Sequence, residues 1–192
     1  ALWPRTGFEQ WTIVGPMLPG ADPLTNLVAA VESALVADPQ QRDFASRRER
    51  LRSGADDALA LWLRQSGETG SSKPGRAFLL VIDQFEELFT LAEAEPRRHF
   101  DRQLAAALCD PECPLFLLST VRADFLDRLD RLEHLMAPYN DRCRRFLLPP
   151  MGERGLRDVI RLPAAMAGVD VGEVEAAILE QAKGEPGALP LV

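Results

Sequence analysis

The stretch Phe78 to Phe89, FLLVIDQFEELF, drives five apolar residues into an aspartate, with two glutamates three and four places further on. A run that is apolar at every position suits a strand buried on both faces, as in a parallel sheet whose connections are helical. In such a sheet the first polar residue after the strand emerges at the carboxyl edge, where open α/β sheets place their ligands. Asp83 is predicted to sit on that edge, with Glu86 and Glu87 just beyond it. The same letters, DQFEEL, also fit a helix start, with Asp83 as the cap and Glu86 at the third helical position.

The rest of the chain predicts the layers around that strand. Trp11, Ile13 and Val14 mark a strand at about 10–14 that stops at Gly15-Pro16. Asp22 before Pro23 is a helix start, and Leu27, Val28, Val31 and Leu35 give that helix one apolar face, ending near Asp38-Pro39. Residues 40–52 carry five arginines against two acids, the pattern of a largely solvated helix. A further helix over about 54–65 buries Leu59, Trp62 and Leu63, and a flexible loop, SGETGSSKPG, follows. From residue 77 the element types alternate: strand 77–82, helix 95–109, strand 115–121, helices over 122–137, strand 145–148, then only helices at 153–162 and 173–183. This order predicts a three-layer α/β core over residues 1–150, with helices on both faces of a parallel sheet, followed by a helical segment over 151–192.

Composition narrows the function. Within 192 residues, 22 basic side chains stand against 29 acidic ones, and a net charge of −7 opposes attraction to a polyanion, so no direct nucleic-acid contact is expected. Three cysteines without a CxxC pair argue against a disulfide framework and fit a reducing cytoplasm. No apolar run approaches the ~20 residues that span a bilayer, so no membrane partner is expected. His99 and His134 each stand without a ligand at helical spacing, and ordinary surface or half-buried histidines explain them. Ala1 in place of Met, and Val192 inside the run LPLV, predict a piece of a longer protein.

An aspartate ending an apolar strand is how P-loop NTPases hold Mg²⁺, and carboxylates just beyond it can orient the attacking water. The strand LFLLSTV runs into Arg122, which in a parallel arrangement reaches the same edge as Asp83. It is placed there to sense a terminal phosphate, or else to pair with Asp124 or Asp127. The closing GEPGALPLV is a turn on any reading, with Gly184 as helix stop.

Taken together, VIDQFEELF, STVRADFLDRL, APYNDRCRRFLLPPMGERGLRDVIRLPA and GALPLV resemble the first group of novel STAND NTPases, over nearly the whole chain. The resemblance implies an incomplete P-loop NTPase core of the ASCE type, followed by the start of a helical lid. It also implies ATP and Mg²⁺ as cofactors, and slow hydrolysis serving a signalling switch in large bacterial proteins that carry WD-type repeats and effector modules. By resemblance, Asp83 is the Walker B aspartate for Mg²⁺ and Glu86 or Glu87 the water activator. Arg122, with Thr120 as second choice, takes the sensor position, and Pro190 packs on adenine. The phosphate-loop motif GxxxxGK(S/T) is absent. The loop from Gly67 to Gly75 precedes a strand and so falls on the wrong edge. In the family that motif and its strand come before the point where this chain starts, in a sheet ordered 5-1-4-3-2. Its loss is expected to leave the edges of 115–121 and 145–148 unsatisfied and ATP binding weak. A degenerate scaffold, keeping the fold for protein contacts without turnover, is the alternative.

Overall fold

The apolar run forms the middle strand of a three-stranded parallel sheet. The computed structural model describes residues 10–67, 76–149, 151–172 and 174–182. In it, β1 (Gln10–Met17), β2 (Arg76–Ile82) and β3 (Leu115–Ser119) lie in the order β1-β2-β3. The chain divides into two compact units, Ala1–Cys143 and Arg144–Val192.

In the first unit, β1 leads to β2 through α1 (Pro23–Leu35), α2 (Phe44–Ser53) and α3 (Ala58–Gly67). The step from β2 to β3 uses α4 (Glu87–Thr90) and α5 (Ala94–Cys109), and after β3 come a 3-10 stretch, Ala123–Arg131, and α6 (Met136–Arg142). Asp22 caps α1 as its sequence predicts, accepting from the Thr25 N–H at 3.2 Å. Pairing of Val14 with Leu80 and of Leu80 with Leu117 puts even-numbered β1 and β2 residues on one face of the sheet. Against that face pack Leu27 and Val31 of α1, Leu59 and Leu63 of α3, and Phe100 and Leu104 of α5, around Phe78 and Leu80.

The other face corrects an expectation. Trp11, Ile13, Leu79, Val81, Phe116 and Leu118 alternate onto it, equally apolar, yet none belongs to the buried core, and Ile13 and Leu118 stay 59% and 55% exposed. Two crossovers of the same hand that advance in the same direction along a sheet deliver their helices to one face. Helices therefore cover one side only among the described residues.

Two further differences have local causes. β1 does not stop at Gly15-Pro16: between the pairs Val14–Leu80 and Met17–Ile82 the two residues Gly15 and Pro16 stand opposite the single Val81, which is a bulge. Gly15 permits it, because φ is +101° and a Cβ there would stand 2.6 Å from the Val81 carbonyl oxygen. The expected strand at 145–148 does not form. Residues 143–149 carry no regular structure, and Phe146, Leu147 and Leu148 are exposed. Extended residues become a strand only by gaining a ladder partner, and among the described residues β3 pairs with β2 alone.

Two buried polar side chains on α5 tie the helical layer together. Gln103 accepts from the Leu59 N–H at 3.0 Å and donates to the carbonyls of Leu51 and Ala55. Asp101 accepts from the N–H groups of His134 and Leu135 at 3.0 and 2.8 Å. Each satisfies backbone groups that helix ends leave open.

The second unit contains α7 (Glu153–Ala167), ended by Gly168 at φ 70°, and α8 (Glu175–Ala182). Buried Glu175 joins them through Arg161 at 2.7 Å and Arg157 at 3.4 Å. Among the described residues no helix is long and apolar enough to cross a membrane.

Candidate functional site at the carboxyl edge of the sheet

The ends of β2 and β3 meet through one carboxylate and one hydroxyl. Ile82 pairs with Ser119, the Thr120 N–H donates to the Ile82 carbonyl at 3.0 Å, and the Phe85 N–H donates back to the Thr120 carbonyl at 2.9 Å. This carries the ladder one residue past each strand and sets the Thr120 hydroxyl against Asp83. That hydroxyl donates a short hydrogen bond to Oδ1 of Asp83. The Gln84 N–H, turned inward by a left-handed φ of 50°, donates to both Asp83 Oδ1 and Thr120 Oγ1 at 3.0 Å. With Oδ1 so held, Oδ2 of Asp83 is left without a hydrogen-bond partner among the described residues.

Asp83 is not the helix cap that DQFEEL also permits. The helix α4 starts after Glu86, with no side-chain cap, and the Asp83 carboxylate bonds its own neighbour rather than the first turn.

The two glutamates reach different loops. Glu86 accepts the Arg122 backbone N–H at 3.3 Å, at the end of β3. Glu87 accepts the Gly20 N–H at 2.9 Å, in the loop after β1, where Asn26 donates to the carbonyls of Leu18 and Pro19. Asp83 completes the connection by donating its own N–H to the Met17 carbonyl at 2.9 Å. All three strand ends are thus fastened to the segment Asp83–Glu87.

Arg122 stands on this rim, but its guanidinium is engaged: Nε and Nη2 donate to Oδ1 and Oδ2 of Asp124 at 3.1 and 2.8 Å. It also lies 5.6 Å from the centre of the Phe125 ring, which Arg128 approaches to 4.7 Å. Pro190 lies outside the described residues. The 3-10 stretch brings in Asp124 and Phe125, for which the sequence held only the hint that an acid two places after an arginine can fold back onto it.

Among the described residues no group of three or more His, Cys, Asp or Glu is arranged to hold a metal ion. Mg²⁺ is commonly bound by one or two carboxylates together with phosphate and water. The open oxygen of Asp83 fits an ion that arrives with a phosphate, and the rim does not fit an all-protein cage. An open hollow of about 630 Å³ lies between β1 and α1, lined by Ile13, Pro16, Met17 and the small residues Ala29, Ala30 and Ser33, with no carboxylate in its lining. Burial pushes the Cys113 thiol up to about 11, which leaves it inert as a nucleophile.

A family model described as Novel STAND NTPase 1 matches residues 2–192. No curated protein and no solved structure matches the chain. The parallel α/β layering is compatible with an NTPase-like fold, and with the family model matching nearly every residue, the chain belongs to the Novel STAND NTPase 1 family of signalling NTPases.

Proposed function

We propose that this chain supplies one side of a Mg²⁺-ATP site in a switch that hydrolyses ATP slowly. The observation that carries the reading is the junction at the carboxyl edge: Asp83 bonded to Thr120, and Glu86 bonded to the Arg122 N–H. In this scheme Thr120 orients Asp83, whose second oxygen holds the metal ion. Glu86 or Glu87 positions the water, Arg122 reaches the terminal phosphate, and Pro190 packs on the adenine. The ion's part is to neutralise charge on the phosphate oxygens.

The phosphate-loop strand and helix of a P-loop, ASCE-type core would come from sequence upstream of this chain. Among the described residues the outer edge of β3 is open and one apolar face of the sheet is bare, which supports that, because one further strand–helix unit would pair the former and cover the latter. Residues 151–192 then begin a helical lid whose angle follows nucleotide state. Effector and repeat domains of the same cytoplasmic protein would read that angle.

The experiment is Mg²⁺-dependent ATP binding by the full-length protein, wild type against Asp83→Ala. At least a ten-fold loss, about 1.4 kcal/mol, is expected. Equal affinity removes Asp83 from the scheme. A scaffold without turnover is the second reading, favoured by the fact that each of the three carboxylates already has a partner within the chain. It predicts no nucleotide dependence at all.

A further inference from the structure

We propose that Asp124 sets how strongly the site prefers a nucleoside triphosphate over a diphosphate, by competing with the terminal phosphate for the Arg122 guanidinium; this rests on the ATP-site reading above. Two of the guanidinium's donor atoms, Nε and Nη2, are spent on the two oxygens of Asp124 in a forked pair at 3.1 and 2.8 Å. That fork is the geometry with which arginine also takes a phosphate, so the two anions require the same donors.

The pair is built to open. Its side chains are 68% and 57% exposed, and exposed ion pairs contribute little net stability. The backbone of Arg122 is fixed independently by Glu86, and the Phe125 ring borders the guanidinium, so releasing Asp124 leaves the arginine stem in place. A terminal phosphate carries more charge than a carboxylate and wins the exchange. A diphosphate offers nothing at that position and leaves the pair closed. Asp124 therefore lowers affinity for the triphosphate alone, by the free energy of opening one exposed pair.

The test is to titrate the full-length protein with Mg·ATP and Mg·ADP, as wild type, Asp124→Ala, Asp124→Glu, Arg122→Ala, the Arg122→Ala/Asp124→Ala double variant, and Asp83→Ala. Asp124→Ala is expected to tighten ATP by up to about five-fold while ADP is unchanged. Asp124→Glu should return the ratio toward wild type, and the effect should vanish in the Arg122→Ala background. An unchanged ATP-to-ADP ratio in Asp124→Ala, or equal tightening of both nucleotides, overturns the proposal. If Asp83→Ala loses Mg²⁺-dependent binding while the ratio stays fixed, only the role of Asp124 falls. If Asp83→Ala binds like wild type, or the protein binds neither nucleotide, the site reading falls and takes this proposal with it.

Discussion

The two faces of the same small sheet are made of the same kind of residue and meet opposite fates. Phe78, Leu80 and Val14 disappear beneath α1, α3 and α5, whereas Ile13 and Leu118, on β1 and β3 of the same sheet, remain more than half exposed. Composition is equal on the two sides, so the difference comes from winding: both crossovers carry their helices to one face. Apolar character tells which surface requires cover. The path of the chain decides which surface receives it.

Mutations on the two faces put that contrast at risk. Phe100→Ala, on the covered side, is expected to cost about 3–5 kcal/mol in denaturant unfolding, because it empties a site with no exposure. Leu118→Ser, on the bare side, should fall within about 0.5 kcal/mol. A cost for Leu118→Ser approaching that of Phe100→Ala would mean that the second face is occupied in solution. Next in size is Gln103→Leu, which takes the buried partner from the Leu59 N–H and the Leu51 carbonyl, while the Ala55 carbonyl keeps the Ala58 N–H. About 2–3 kcal/mol is expected, by the same measurement, and an unchanged midpoint would show that packing alone holds the helical layer.

A smaller cost than that of Gln103→Leu belongs to Asp22→Ala at the start of α1, about 1 kcal/mol at neutral pH. Partial burial works to raise the Asp22 carboxyl, but hydrogen bonds from Thr25 and the Arg48 guanidinium outweigh it and hold the group below its ordinary value. A depressed folded value means that this stabilisation is complete above the unfolded value near ~3.9 and fades as pH falls through the folded one. The gap between wild type and Asp22→Ala should therefore narrow in acid below about pH 4. A gap that widens there reverses the sign.

Much of this architecture is readable from residue order, and the part that is not has a physical pattern. The strand at Ala77–Ile82 and the helix that Asp22 caps are local events, written in consecutive apolar residues and in one Asp-Pro pair. What escapes are contacts between residues far apart in sequence. Gln103 and Asp101 look like the polar side of α5, because nothing nearby says that backbone groups 44 and 34 residues away will need them. Phe146 to Leu148 look like a strand because their composition is right, yet pairing requires a neighbour that composition cannot supply. At the rim the sequence places Asp83, Glu86, Glu87 and Arg122 on one edge from strand direction alone. It says nothing of the Thr120 hydroxyl on Asp83, and it leaves open whether Asp124 or Asp127 takes the arginine, since both depend on how the chain turns after β3.

Because the turn Asp83–Glu87 grips the loop after β1 through Glu87 and the loop after β3 through Glu86, neither loop can shift alone without breaking a bond to it. The turn acts as a rocker between two levers. Arg122 and Gly20, on opposite sides of the sheet's middle strand, are thus held by neighbouring residues of a single turn.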